Sequence, residues 1–389
     1  MLILSLTLVS CLFYLIYERI TLNKIRESIP LVITVTGTRG KSSVVRMLAS
    51  VLRESGRRVL AKTTGSQAQM ILPDGTVKDV ARRGIVSILE QKQILRRAGQ
   101  LGVDCLVVEI MSIRPENHRV ESREILKPDI VLITNVRPDH LEAMGETEKD
   151  IAGVLELDLP AGASVFVPEQ YHHFFKHLPS TDTSIRLISV PHARTDSRGS
   201  RSGAAGAFEF AENLELTAAV TRELSIGSEV FDRGVGKASH DVGKLRVWDY
   251  RIGEKRIYLV NAFAANDPES TMRVIEKTRE VLGDRPVTLT GLLNLRFDRG
   301  DRTVQWIEAM NSGMSSQFGR VHAMGGHANV VSRRIPSVSK ISKRSPEEIT
   351  RSIAATMEND GVLFGFGNIG GEGYRIVEYW QQEGTEHGT

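Results

Sequence analysis

The chain is short of the residues that would staple a small secreted fold. Its two cysteines, Cys11 and Cys105, lie far apart, so no disulfide framework is available and a reducing cytoplasm fits best. Neither sign of charge dominates. Fifty basic residues face 47 acidic ones for a net +3, and without a dense basic stripe there is no footing for nucleic-acid binding. A 41% hydrophobic and 25% charged composition excludes both a disordered chain and a multispan membrane protein. No internal repeat is evident. What remains is a length of 389 residues, enough for about two domains with a core each.

Charge is missing altogether from one place. Met1 to Tyr17 (MLILSLTLVSCLFYLIY) carries none, and Glu18, Arg19, Lys24 and Arg26 follow it. The run is at the short end for crossing a bilayer, yet it lacks the basic start and small-residue cleavage site of a signal peptide. The expectation is a single-pass cell-membrane anchor over residues 1–18. The basic side then lies in the cytoplasm together with the bulk of the chain. The alternative is a hydrophobic helix docked on the protein or on a partner.

Beyond the anchor, Leu31 to Val35 is a β-branched apolar run that reads as a buried strand, and Lys41 to Ser55 carries apolar residues at helical spacing up to Gly56. Cys105–Ile110, Ile130–Thr134, Val165–Val167 and Leu187–Val190 are further strand candidates, with Gln91–Leu101 helical. Arg194 to Gly206 is Gly/Ser/Arg-rich and reads as a surface loop or insertion. A helix over Asn213–Leu224 follows, and the pattern restarts around Gly243–Lys244. Strands at Arg256–Val260, Val287–Leu292, Val321–Met324 and Val362–Gly365 alternate there with helices at Ser270–Leu282, Thr303–Asn311 and Pro346–Glu358. Strands alternating with helices imply parallel sheets covered on both faces. The expected division is 30–245 and 246–389.

The stretch TGTRGKSS (36–43) lies between the first strand and the first helix of this pattern. A common phosphate loop has four residues between its glycines, whereas two separate Gly37 from Gly40. The context is still that of an anion site. Glycines let backbone N–H groups turn inward, and the helix N-terminus adds partial positive charge. Lys41 is placed to meet terminal phosphates, and the hydroxyl of Ser42 or Ser43 to ligate Mg²⁺. The plain alternative is a glycine turn with a surface lysine. Glu109 ends the strand CLVVEI, where a carboxylate points into the ligand crevice of an open α/β sheet. With Ser42 it offers hard oxygen ligands. A third strand ends in ITNVRPDHLEAMG (133–145), bringing Asn135, Asp139 and His140 to the same edge.

Together TGTRGKSS, Glu109 and ITNVRPDHLEAMG resemble the Mur ligase superfamily, whose phosphate loop has this shortened spacing. KTTGSQAQMILPDG (62–75), VNAFAANDPEST (260–271), NLRFDRGDRTVQW (294–306) and GFGNIGGEG (365–373) resemble its poly-γ-glutamate synthase branch. The resemblance implies an α/β fold in which a Mur-ligase-like central P-loop ATPase domain with a parallel sheet precedes a C-terminal Rossmann-like domain, without a separate UDP-binding domain. It implies an ATP-dependent acid–amino-acid ligase with ATP and Mg²⁺ as cofactors. Glutamate and a growing poly-γ-glutamate chain would be its substrates, and membrane subunits of a synthase or export complex its partners. A homo-oligomer is left open. The loop residues Gly37, Thr38, Arg39, Gly40, Lys41, Ser42 and Ser43 would hold nucleotide, as would Asn213 and Arg302. Ser42, Glu109 and His140 would hold metal, and Arg296 and Arg299 would clamp carboxylates, as bidentate guanidinium groups suit. Asn266 and Asp267 match the second half of a motif in Mur C-terminal domains.

One position departs from the family. Many Mur ligases carry a carbamylated lysine about fifteen residues after the metal-binding histidine; that position falls near Leu155, and Lys149 is too close to be its counterpart. Either Glu156 or Asp158 supplies that charge, or the second metal is held differently. Competing functions are a folylpolyglutamate-synthase-like ligase, a membrane-anchored ATPase powering capsule-polymer export, and a nucleotide-binding scaffold. The glutamate enantiomer, or a different amino acid, and the growing end of the chain stay open.

Overall fold

A computed structural model describes residues 2–65, 68–80, 82, 86–138, 140–191, 211–238, 245–283, 288–342 and 345–387. The expected loop at Arg194–Gly206, the restart at Gly243–Lys244 and Asp139 lie outside them. The described residues fall into two compact units that meet in sequence near residue 240.

The first unit begins with helix α1 (Leu2–Glu27), which does not stop at the apolar run but continues through its charged sequel. Strand β1 (Leu31–Thr36) follows, then helix α2 (Lys41–Glu54), β2 (Val59–Thr63), β3 (Gln69–Ile71), β4 (Val77–Asp79), helix α3 (Glu90–Leu101), β5 (Cys105–Glu109), β6 (Ile130–Ile133), β7 (Ser164–Pro168) and β8 (Arg186–Val190). The sheet order is β4-β3-β2-β5-β1-β6-β7-β8. It is parallel along β2-β5-β1-β6-β7-β8, and the β2–β3 and β3–β4 pairings at one edge are antiparallel.

The sequence of β1 shows why it sits at the centre. Ile33 and Val35 face α2, packing with Val44, Val45, Leu48, Val51 and Leu52. Val32 faces the other way, toward Ile94, Leu95 and Ala98 of α3. A strand covered on both faces reads as a continuous apolar run. Burying each such aliphatic side chain contributes roughly 1.5–3 kcal/mol. Because β1, β2, β5 and β6 are parallel, their carboxyl ends at Thr36, Thr63, Glu109 and Ile133 share one edge, where ligands bind in such sheets.

The second unit contains β9 (Arg246–Ile252), β10 (Lys255–Asn261), β11 (Thr288–Leu295), β12 (Arg320–Gly325), β13 (Val338–Lys340), β14 (Gly361–Phe366) and β15 (Thr385–Glu386), in the order β13-β12-β11-β14-β10-β9-β15. It too is parallel at its centre, with β9 and β15 antiparallel at one side. Two apolar layers cover its faces, one around Trp306 and Phe366 and one around Trp248 and Trp380. β9 and the helix Glu372–Glu383 were not expected from sequence.

His322 sits inside this sheet. Its Nδ1 is 2.7 Å from Ser339 Oγ on the neighbouring edge strand, while its Nε2 is buried without a partner. Burial, with help from Arg320, pushes its pKa below the usual histidine value. A depressed folded pKa gives stability that is present above the unfolded value near 6.5 and is lost as pH falls through the folded one. The wild-type chain is expected to lose up to about 1.4 kcal/mol of stability per pH unit across that acid window. In His322→Asn this component disappears, and thermal unfolding of the two proteins between neutral and mildly acid pH measures the difference.

Candidate active site

The site grows from the turn after β1. Gly37 and Gly40 both adopt left-handed backbone, with φ of 115° and 81°. They also sit where no side chain fits. A Cβ on Gly37 would lie 2.3 Å from Thr134 Oγ1, and one on Gly40 would lie 2.6 Å from Asn213 Oδ1. The loop is therefore pressed between the end of β6 and the helix Ala211–Glu223, which carries the predicted nucleotide residue Asn213 to within contact of Gly40. Gly40→Ala is expected to weaken nucleotide binding at least tenfold and to cost about 1–3 kcal/mol of backbone strain. Calorimetric ADP titration and a melting curve read the two effects separately.

Asn135 is the loop's brace. Its Oδ1 accepts from Thr38 Oγ1 at 2.6 Å and from the Arg39 amide at 2.9 Å, while its Nδ2 donates to the Arg39 carbonyl at 2.9 Å. Arg137, two residues on, donates to Tyr171 Oη at 3.2 Å and to Glu212 at 2.9 Å, tying the same strand end to the Asn213 helix. The sequence places Asn135 at this edge without assigning it a role, and Arg137 has no part in that reading. The sign was available in the motif itself, since ITNVRPDH places both side chains directly beyond a buried strand.

Lys41 folds back so that its ammonium donates to the Gly37 carbonyl at 2.7 Å, inside the bend of the loop. Ser42 Oγ donates to Glu109 Oε2 at 2.7 Å, and the Thr64 amide donates to the same oxygen at 2.7 Å. Ser43 lies in the first turn of α2. The predicted pair Ser42 and Glu109 is thus brought together, at the base of the glycine loop and beside Thr64. His140 follows at the start of a short helix, half-buried and with a left-handed φ of 48°. Among the described residues no group of three His, Cys, Asp or Glu side chains gathers as a metal cage. A hydroxyl and one carboxylate beside an anion loop suit Mg²⁺, which keeps waters and takes its other ligands from phosphate oxygens. The fit to a nucleotide–metal pair rests on that donor set and on the two glycine positions.

The position of the family's modified lysine is occupied differently. Leu155 is buried in the apolar core, and Glu156 pairs with His177 at 3.2 Å. Asp158 is fully buried, accepting from Thr36 Oγ1 at 2.6 Å with His118 Nδ1 at 2.9 Å. It anchors the root of the glycine loop instead of presenting a free carboxylate. Below Glu109 runs another buried network. Gln91 Nε2 donates to the Glu109 carbonyl at 3.4 Å, and Lys62 pairs with Glu90 at 3.2 Å. Burial pushes the Lys62 pKa down, against the pull of Glu90.

The remaining predicted residues belong to the second unit, at the carboxyl end of its parallel strands. Arg296 is held in a bidentate pair with Asp298, through Nε at 2.8 Å and Nη2 at 2.6 Å, and holds the Asp298 carboxyl below its ordinary pKa. Arg299 occupies the position just before the helix Gly300–Asn311, and Arg302 in that helix donates to Gln305 at 3.1 Å. Asn266 Oδ1 is buried without a partner, next to Asp267, which caps the following helix. Asn294 links the strand end to the glycine-rich segment after β14, donating to the Asn368 carbonyl at 2.6 Å.

Comparison with known proteins agrees with this architecture. Residues 35–157 match the Mur ligase middle domain, and residues 247–383 match the poly-gamma-glutamate synthase CapB C-terminal domain. The fold resembles the bifunctional folylpolyglutamate synthase/dihydrofolate synthase of Yersinia pestis complexed with AMPPNP and Mn ion, with a TM-score of 0.69 and 14% identity over 94% of this chain and 92% of that one. It also resembles MurF from Acinetobacter baumannii, with a TM-score of 0.63 and 14% identity over 94% and 80%. The two matched domains and the curated relatives together support an ATP-dependent ligase. Its particular likeness is to CapB. The chain is 28% identical to PGA synthase CapB of Bacillus subtilis over 90% of each protein. It is 27% identical to capsule biosynthesis protein CapB of Bacillus anthracis over 98% of this chain and 83% of that protein.

Proposed function

We propose that this chain joins glutamate through γ-amide bonds, building poly-γ-glutamate at the expense of ATP. The observation that carries the reading is the CapB-type C-terminal domain on the same chain as a Mur-type loop whose Ser42 and Glu109 are already in contact. The γ-carboxylate of a glutamate takes the terminal phosphoryl group of ATP, the bond to the ADP oxygen breaking as the bond to the carboxylate forms. The amine of a second glutamate attacks the acyl carbon and loses a proton, and phosphate leaves. Lys41 and the backbone N–H groups of the 37–43 loop neutralise charge on the transferring phosphoryl group, and catalysis is mostly positioning. Ser42 and Glu109, with His140, would hold Mg²⁺, which supplies further charge neutralisation when bound. Arg296 and Arg299 would bind the carboxylates of the incoming glutamate, for which Arg296 exchanges its Asp298 partner; Asn213 and Arg302 would contact the nucleotide.

α1 is long and apolar enough to cross a membrane, and its apolar first part is exposed. We read it as a single-pass anchor that keeps both units in the cytoplasm beside membrane subunits of a synthase. The test is to incubate the purified protein with ATP, Mg²⁺ and glutamate and to follow ADP and amide product. ADP formation that ignores the amino-acid acceptor would favour an export ATPase and overturn the ligase reading. A requirement for a folate acceptor would favour the folylpolyglutamate-synthase-like alternative.

A further inference from the structure

We propose that the carboxyl edge of the first sheet, which carries the glycine loop, is held against a lipid bilayer, with Val86 and Leu89 set into its headgroup layer beside α1. The inference rests on the anchor reading of α1 and adds an orientation to it.

Three observations fix the geometry. The first is that anchor and domain share one unbroken helix. Its first part is exposed and apolar, from Ile3 at 82% to Tyr17 at 69%, while its last part is docked. Leu22 is buried, Ile25 packs where a Cβ on Gly99 would meet its Cγ2 at 2.9 Å, and Arg26 donates to the Leu126 and Lys127 carbonyls at 3.0 and 2.8 Å. No flexible linker separates the apolar run from the fold.

The second is direction. Glu18 accepts from Lys92 at 2.6 Å and from Arg96 at 2.7 Å, and Ile25 meets Gly99, so α1 and α3 run side by side in the same sense. α3 leads into β5 through a short turn and so runs against it, which puts its start level with the end of β5. The hydrogen bond from Gln91 to the Glu109 carbonyl shows the two at one level. Gln91 touches the metal-site carboxylate residue, and its sequence neighbour Lys92 touches the point where the apolar run ends. The anchor therefore leaves the domain at the catalytic edge of its sheet.

The third is an apolar collar. Val86 and Leu89 precede α3 and are each 54% exposed. By the register of α1 with α3 they lie on the apolar side of Glu18. Apolar side chains that flank an anchoring helix at its charged end partition into the membrane interface. Among the described residues Val86 and Leu89 are the most exposed apolar groups beside α3 and can enter it, and Arg19, whose side chain is 73% exposed, lies at the height of the lipid phosphates. A polyanionic product would then arise beside the membrane surface, where an exporter can receive it.

The experiment uses the full chain, with Cys11→Ser, reconstituted in vesicles containing headgroup-nitroxide lipid. A single fluorescent thiol label is placed at Val86→Cys, Leu89→Cys or, at the far end of α3, Gln100→Cys. Quenching at 86 and 89 is expected to exceed that at 100 several-fold. Three glycines inserted between Tyr17 and Glu18 should leave vesicle flotation unchanged and bring the three positions to one level. Flotation with equal quenching at 89 and 100 in the uninserted chain overturns the orientation while the anchor stands. A chain that does not float with vesicles removes both.

Discussion

Lys41→Ala is expected to lower ATP-dependent amide formation by about 10³-fold or more while the protein still folds. The expectation follows from where the ammonium is. Its 2.7 Å hydrogen bond to the Gly37 carbonyl places it inside the bend formed by the two left-handed glycines. An arriving phosphate meets it without rearrangement of the loop. No other lysine lies within the 36–43 turn, so the truncation leaves the backbone dipoles and Arg39 without the ammonium beside the transferring phosphoryl group. The folded state loses only one hydrogen bond to a half-buried group, at about 0.5–1.5 kcal/mol. Melting temperature should fall by a few degrees, and ADP should not accumulate above background. Amide synthesis at a wild-type rate would show that the phosphates bind elsewhere.

The sequence made the strand–glycine–helix unit legible because several local preferences agree there. A β-branched run demands burial, two glycines permit left-handed turns, and the spacing of Val44, Val45, Leu48, Val51 and Leu52 demands a helix with one apolar face. Where preferences disagree, the reading failed. β2 was missed because Lys62 interrupts its apolar run, and only the fold shows that Glu90 and Gln91 lie across from that ammonium. The continuation of α1 to Glu27 was missed because charge normally ends an anchor; here Glu18, Arg19 and Arg26 each find a partner on the domain. Asp158 is the sharpest case. As a spacing after His140 it looked like a substitute metal ligand, and in the fold its oxygens serve Thr36 and His118. Spacing places a residue near a site, whereas the direction of its side chain depends on contacts from far along the chain.

Glu109 separates structure from chemistry most cleanly, because one oxygen serves both. Its Oε2 accepts the Ser42 hydroxyl and the Thr64 amide, so Glu109→Ala removes the acceptor for a backbone N–H at a buried strand end. An unsatisfied buried donor costs about 1–3 kcal/mol, and loss of the metal carboxylate comes on top. Glu109→Ala should therefore be both less stable and inactive. Glu109→Gln keeps an oxygen for the Thr64 amide and gives up the charge. It is expected to melt near the wild type yet to lose roughly 10²–10³-fold in activity, since hard cations bind through carboxylate charge. Raising Mg²⁺, or supplying Mn²⁺, should recover part of the Gln variant's rate by mass action and none of the Lys41→Ala rate, because only the former lacks a metal ligand. Activity against metal concentration, measured alongside melting curves for the three variants, decides the assignment. A Glu109→Gln enzyme with unchanged metal dependence would place the metal on other residues and leave Glu109 as a brace for the loop.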